Sequence, residues 1–245
     1  MAHLELEGGI ARVFLGRPEK ANALDSGALD RLIFSLQAAG AEPGLRAVVL
    51  GGQGRAFCGG ADVAELASLD GANAGAFVER IHLACRAIRE LPVPVIARLH
   101  GAAIGAGLEI AAACDLRIAA EGTRFAMPEV RLGIPSVVEA ALLPRLIGAG
   151  RAAWLVLTGE AIDAARALQW GLVEEVCDAA QLDAAVERLL KSLLAGDREA
   201  LRQQKQLLQH WDELPLAESV SRSIGLFSAA YSGGRPNALL AALRR

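Results

Sequence analysis

The 245-residue sequence predicts an α/β fold with a helical C-terminal region. Three observations lead there. Short apolar runs bounded by turns, RAVVLG at 46–51 and VIARL at 95–99, have the pattern of buried strands. Segments with apolar residues at helical spacing alternate with these runs, the arrangement of layered α/β proteins. From residue 179 onward the strand signal stops and the pattern is helical throughout.

Taken in order, residues 3–7 alternate polar and apolar, Gly8-Gly9 turns the chain, and 10–15 are mostly apolar, which predicts a hairpin. RPEKAN at 17–22 is loop-like. Asp25 is placed to cap a helix over 26–39, where Leu29, Leu32, Ile33 and Leu36 share one face. After the 46–51 strand, GGQGRAFCGGA at 51–61 is glycine-rich, so its backbone is free to approach a ligand or take positive φ. Asp62 caps a short helix, SLDGANAG at 68–75 is a loop, and a helix over 75–90 is stopped by LPVP. HGAAIGAG leads into a helix at 105–113, then DLRIA at 115–119 returns as a strand and RFAM at 124–127 adds a small one. Helices follow near 136–146, 151–158 and 163–168, with LVEEV at 172–176 as a last strand. The tail predicts helices at 179–194, 197–210 and 215–230, then the loop SGGRP and a short final helix.

An apolar fraction of 53% supports a full core and excludes a disordered chain. The net charge of -3 supplies no general basic field, so no nucleic-acid partner is expected. Cys58, Cys85, Cys114 and Cys177 have no metal-ligand spacing and read as free thiols; no metal is expected. The first residues lack a basic region followed by a long apolar run, and no apolar stretch reaches spanning length. The expectation is a cytoplasmic protein without membrane insertion.

The chemistry concentrates in two segments. In GAAIGAGLEIAAACD at 101–115, Gly101, Gly105 and Gly107 surround a helix start, where free N–H groups stabilise developing negative charge. Glu109 falls in the first turns of that Ala-rich helix. A buried carboxyl there needs either a structural partner or a function. In FAMPEVRLGIP at 125–135, Glu129 follows a proline at an element end, where it either pairs with Arg131 or serves a site. Two glutamates in unequal environments separate their pKa values and divide acid from base. The dinucleotide fingerprint, the phosphate-binding loop and the G-x-S-x-G elbow are all missing. His3, His82, His100 and His210 form no local metal motif, and His100 sits beside Gly101 at a strand end.

RPEKANAL at 17–24, GRAFCGGAD at 54–62, HGAAIGAGLEIAAACDLRIA at 100–119, FAMPEVRLGIP at 125–135 and LTGEAIDAARALQWGLVEEV at 157–176 occur in one order and spacing. Through them the chain resembles the crotonase, or enoyl-CoA hydratase/isomerase, family from about residue 10 to 190. The resemblance implies a spiral of repeated ββα units, with residues 1–190 as an acyl-CoA-binding core. It implies a C-terminal oligomerisation and lid region at 191–245, and a homotrimer or homohexamer. The implied substrate is an acyl-CoA thioester, with coenzyme A arriving as part of it and no separate cofactor. The favoured reaction is water addition to a 2-enoyl-CoA, giving a 3-hydroxyacyl-CoA.

Carried onto this sequence, the backbone N–H groups of Gly59 and Ala106 hold the thioester oxygen. Glu109 orients and deprotonates water, and Glu129 protonates the α-carbon. Substrate contacts are implied at Arg17, Lys20, Ala21, Ala23, Cys58, Gly60, Ala61, Asp62, Gly105, Met127 and Glu139, with Arg17 and Lys20 reaching phosphates. Three departures stand out. Met127 replaces the glutamine of many hydratases. PSVVEA at 135–140 replaces their glycine-rich loop, making Glu139 either an added acid near the acyl pocket or a salt-bridging residue. Arg235, Arg244 and Arg245 stand in for the usual basic stretch near the C-terminus. Alternative reactions are enoyl-CoA isomerisation, decarboxylation and thioester hydrolysis; a non-catalytic, RNA-associated relative is the other class.

Overall fold

The structure is a computed structural model that describes residues 3–242. Arg244 and Arg245 lie outside the described residues. By internal packing the chain divides into a unit ending at Ser192 and a unit beginning at Leu193.

The first unit opens with β1 (His3–Glu7) and β2 (Ile10–Leu15), the expected antiparallel hairpin. Then come α1 (Ser26–Gly40), β3 (Ala47–Gly52), α2 (Val63–Leu66), α3 (Ala74–Glu90) and β4 (Val95–Leu99). β5 (Ala102–Ile104), α4 (Ala106–Ala113), β6 (Leu116–Ala120) and β7 (Arg124–Ala126) form the middle of the chain. α5 (Leu143–Ile147), α6 (Ala149–Thr158), β8 (Ile162–Asp163), α7 (Ala164–Trp170), β9 (Glu175–Cys177) and α8 (Leu182–Ala195) follow. A six-stranded sheet has the order β1-β2-β3-β4-β6-β9, parallel from β2 onward; a smaller sheet has the order β5-β7-β8. The chain places β4 in the large sheet and β5 in the small one before α4, then repeats the step with β6 and β7. This is the ββα spiral.

Physical reasons for the elements are local. Every residue of β3 is buried, as expected for a central parallel strand covered on both faces. The Ala28 N–H donates to Asp25 Oδ1 at 2.7 Å and fixes the start of α1. The stripe Leu29, Leu32 and Leu36 packs α1 on α3, which buries Phe77, Ile81, Cys85 and Ile88. α4 is buried on all sides, so Glu109 is the one charged residue on a fully interior helix.

Three stretches differ from the sequence expectation. HGAAIGAG contains a strand, β5, because Ala102–Ile104 pair with Arg124–Ala126 across the small sheet. Residues 136–146 are not one helix: a 3₁₀ turn at Val138–Leu142 precedes α5. Val138 at its start has φ +41°, a conformation β-branched residues rarely adopt. The last strand begins at Glu175, since the Leu172 N–H is spent on Ala167 O in closing α7.

The loop after β3 lies along β5. The Cys58 N–H donates to Ala102 O at 2.8 Å and the Ile104 N–H to Cys58 O at 3.1 Å. The two glycine-rich segments, 45 residues apart in places, thereby become neighbours. A Cβ on Gly107 would stand 2.7 Å from Cys58 O, so only glycine permits this approach.

The second unit contains α9 (Arg198–Glu213), α10 (Leu216–Tyr231) and α11 (Arg235–Ala242). Asp197 caps α9 by accepting from the Glu199 and Ala200 N–H groups. Trp211 Nε1 donates to Ser223 Oγ at 3.2 Å between α9 and α10. Leu216, Val220, Ile224 and Phe227 recur every three or four residues on α10 and are exposed. Among the described residues, no helix is long and apolar enough to cross a membrane.

Candidate active site

Glu129 heads a 3₁₀ turn, Glu129–Leu132, directly after β7 and Pro128. Ser136 Oγ donates to Glu129 Oε2 at 2.8 Å. The other oxygen, Oε1, lies over Gly105, where an added Cβ would come within 2.3 Å of it. Gly105 also has φ +51°. Close approach and positive φ therefore both require glycine at the head of α4.

Glu109 sits one helical turn further along α4 and is buried. The Ala140 N–H donates to Glu109 Oε1 at 3.1 Å, joining α4 to the 138–142 turn. Burial pushes the Glu109 carboxyl up to about 8; the charge of Glu129 adds to this, the Ala140 N–H opposes it, and the charge of Glu139 adds again. The structure thus brings Glu109, Glu129 and Glu139, read separately in the sequence, into one neighbourhood.

The backbone donors require a correction. The Gly59 N–H donates to Ala21 O at 2.8 Å, so this amide is already spent on the loop. Two residues on, Leu24 makes a parallel bridge with Ala61: the Leu24 N–H donates to Gly60 O, and the Asp62 N–H to Leu24 O. In that geometry the Ala61 N–H points to the other side. Among the described residues neither the Ala61 N–H nor the Ala106 N–H, which heads α4, has an acceptor. The two segments abut, since a Cβ on Gly60 would meet Ile104 O at 2.9 Å.

The 17–24 loop is locked rather than open. Arg17 Nη1 donates to Ala23 O at 2.7 Å and pairs with Asp25 Oδ2 at 2.8 Å, while Nη2 reaches Asp62 Oδ2 at 2.9 Å. These contacts commit the Arg17 guanidinium, so the expected phosphate contact does not fit it. Lys20 pairs with Asp62 at 3.2 Å but its side chain is half exposed, which leaves it reachable. Asp62 caps α2 through the Ala64 N–H, as the sequence suggests. Burial raises its carboxyl, but Lys20, Arg17 and the Ala64 N–H outweigh this and hold it at about 2. Similarly, Arg235 is paired with Asp197 in the second unit.

Cys58 is fully buried and burial pushes its thiol up to about 12, against the Gly60 N–H. It is a spacer beneath the loop, not a substrate contact. Met127 is also fully buried and belongs to the core. His100 Nε2 lies 2.9 Å from Gly54 O, away from the glutamates. Residues not singled out in the sequence are Asn22 and Ser136. Asn22 is buried and carries three bonds: it accepts from the Arg17 N–H and donates to Gln53 O and Ala56 O. A polar residue between alanines in RPEKANAL was its only local signal. Ser136 had none, because its contact closes a loop in space.

This geometry, a free amide pair beside two glutamates in a ββα spiral, meets an independent match. The enoyl-CoA hydratase/isomerase family model fits residues 5–234. The chain belongs to that family. This crotonase-family chain is 32% identical to the short-chain-enoyl-CoA hydratase of Clostridium acetobutylicum, covering 94% of this chain and 88% of the relative. It is 34% identical to the crotonyl-CoA hydratase of Syntrophomonas wolfei, over 82% and 78%. The crystal structure of enoyl-CoA hydratase from Bacillus anthracis superposes with a TM-score of 0.93 at 30% identity, over 99% of this chain and 96% of that one. The family member described here is therefore an enzyme of the enoyl-CoA hydratase/isomerase type.

Proposed function

We propose that this enzyme adds water to a 2-enoyl-CoA and releases a 3-hydroxyacyl-CoA. The observation that carries the reading is Glu109 beside Glu129, with two unspent backbone N–H groups next to them. The thioester oxygen sits between the Ala61 and Ala106 N–H groups, where charge develops as the enolate forms. Glu109 takes a proton from water as its oxygen bonds to the β-carbon. The π electrons move onto the thioester oxygen. As the enolate collapses, Glu129 delivers a proton to the α-carbon, so one proton has entered the pair and one has left it. Ser136 fixes the Glu129 carboxyl for this transfer, and the Ala140 N–H fixes Glu109.

Support for an acyl-CoA substrate comes from the family and from relatives named as hydratases of short-chain enoyl-CoA and crotonyl-CoA. Lys20 is the cation at the edge of the site suited to a coenzyme A phosphate. The same reading includes a cytoplasmic location, a core over 1–190 that binds acyl-CoA, and a region from 191 that assembles the chain into a trimer or hexamer. Hydration of crotonyl-CoA and longer 2-enoyl-CoAs, with a 3-enoyl-CoA as control, tests the reaction. Turnover of the 3-enoyl-CoA alone would make the enzyme an isomerase using Glu129. Glu109→Gln and Glu129→Gln are each expected to lower hydration by roughly 10²–10⁴-fold.

A further inference from the structure

His82 stands on α3 with its side chain half exposed. The mechanism above does not use it, yet it is bonded into the wall behind Glu109. Its Nδ1 lies 2.8 Å from Oε1 of Glu139, whose side chain is about nine-tenths buried. A carboxylate only accepts, so the ring N–H is the donor. The Cys85 thiol of α3 donates to the same carboxyl. Two side chains of α3 therefore hold Glu139, which belongs to the Val138–Leu142 turn.

The next residue of that turn is Ala140. Its N–H donates to Glu109 Oε1 at 3.1 Å and is shared with Val137 O at 3.0 Å. A donor divided between two acceptors at nearly equal distance passes to one of them on a small movement of the turn. Just before Glu139, Val138 has φ +41°, a strained conformation that persists only where the surroundings enforce it. Burial and the charges of Glu129 and Glu139 push the Glu109 carboxyl up, and the Ala140 N–H opposes them. The buried Cys85 thiol also faces Glu109 from α3. We propose that His82 is a positioning residue for hydration: through Glu139 it holds the 138–142 turn so that the Ala140 N–H stays on Glu109, the base that takes the proton from water. This rests on the acyl-CoA hydration reading.

The test replaces His82 in the whole chain by leucine, which lacks a donor, and by asparagine, whose amide sets a donor near the Nδ1 position without the imidazole charge. His82 is half exposed, and α3 packs through Phe77, Ile81, Cys85 and Ile88, so both variants leave its core face intact. Hydration of crotonyl-CoA is followed as kcat/KM against pH. His82→Leu is expected to lose about 10-fold at pH 7 and to move the midpoint of the profile up by about one pH unit, the order of a hydrogen bond to a carboxylate. His82→Asn should stay close to the native enzyme in both. In Glu139→Leu, adding His82→Leu should change neither. An unmoved midpoint in His82→Leu overturns the proposal, since a purely structural loss lowers rate or stability without retuning Glu109. So does His82→Asn behaving like His82→Leu, or a further loss when His82→Leu is added to Glu139→Leu. If no enoyl-CoA is hydrated, the reaction reading fails, and the titration of Glu109 still decides. Its carboxyl carbon-13 resonance, assigned by its loss in Glu109→Gln, should titrate about one pH unit higher in His82→Leu. Equal midpoints in the two proteins overturn the role of His82.

Discussion

A carboxyl on a fully interior helix ionises late, and for Glu109 this happens near pH 8. Below that pH the Glu109 carboxyl retains its proton. Glu109 acts as the base only once that proton is lost, so kcat/KM for hydration is expected to rise with pH toward a plateau above about 8. A level profile over that interval would mean that a group other than Glu109 takes the proton from water. Stability follows the same titration. The folded-state pKa is raised from its ordinary value of 4.5, so the stability linked to this proton is intact below that value and is lost as pH rises through about 8. Glu109→Gln has no such proton to lose. Relative to the native protein it should gain on the order of a few kcal/mol between pH 5 and 8.5, measured by denaturant unfolding at both. At Gly105 the limit is steric. Gly105→Ala meets Glu129 Oε1 and a positive φ, so hydration should drop roughly 100-fold through misplacement of that carboxyl. A rate near that of the native protein would show that Glu129 tolerates displacement. Both glutamates were legible in the sequence, one as a charge on an Ala-rich helix and one after Pro128. The amide donor was not, because Gly59, Gly60 and Ala61 look equivalent until their hydrogen bonds are traced.

Among the elements, the 17–24 loop shows how the site's edge is made rigid. Asn22 has φ +56° and ties this loop to residues 53–56 through two carbonyls, while accepting from the Arg17 N–H. Asn22→Ala strips all three bonds and keeps the strained backbone, so a loss of about 2–5 kcal/mol is expected in chemical unfolding. KM for acyl-CoA should rise with it, since Lys20 and Ala61 lie on the two joined loops; unchanged KM would separate this loop from substrate binding. The strands and long helices were readable because their periodicity is local. β5 and the 135–140 segment were not. Three residues become a strand only when β7 lies beside them, and the 138–142 turn owes its shape to contacts with α3 and α4.

Across the whole molecule, the exposed stripe Leu216, Val220, Ile224 and Phe227 on α10 fits an assembly surface. Light scattering at micromolar concentration should report a trimer or hexamer, and Ile224→Asp with Phe227→Asp should give a smaller species with unchanged helical content. A native monomer would contradict the assembly. The sequence by itself determined the α/β class, the helical tail and the family motifs in their order, and it singled out both candidate glutamates, because these depend on residue type, spacing and short-range pattern. Only the tertiary structure decided which amides remain free, that Arg17 is committed to Asp25 and Asp62, and that Glu139 joins Glu109 and Glu129 in one neighbourhood. Those outcomes are set by hydrogen bonds and burial between segments distant in the chain, which no local pattern encodes.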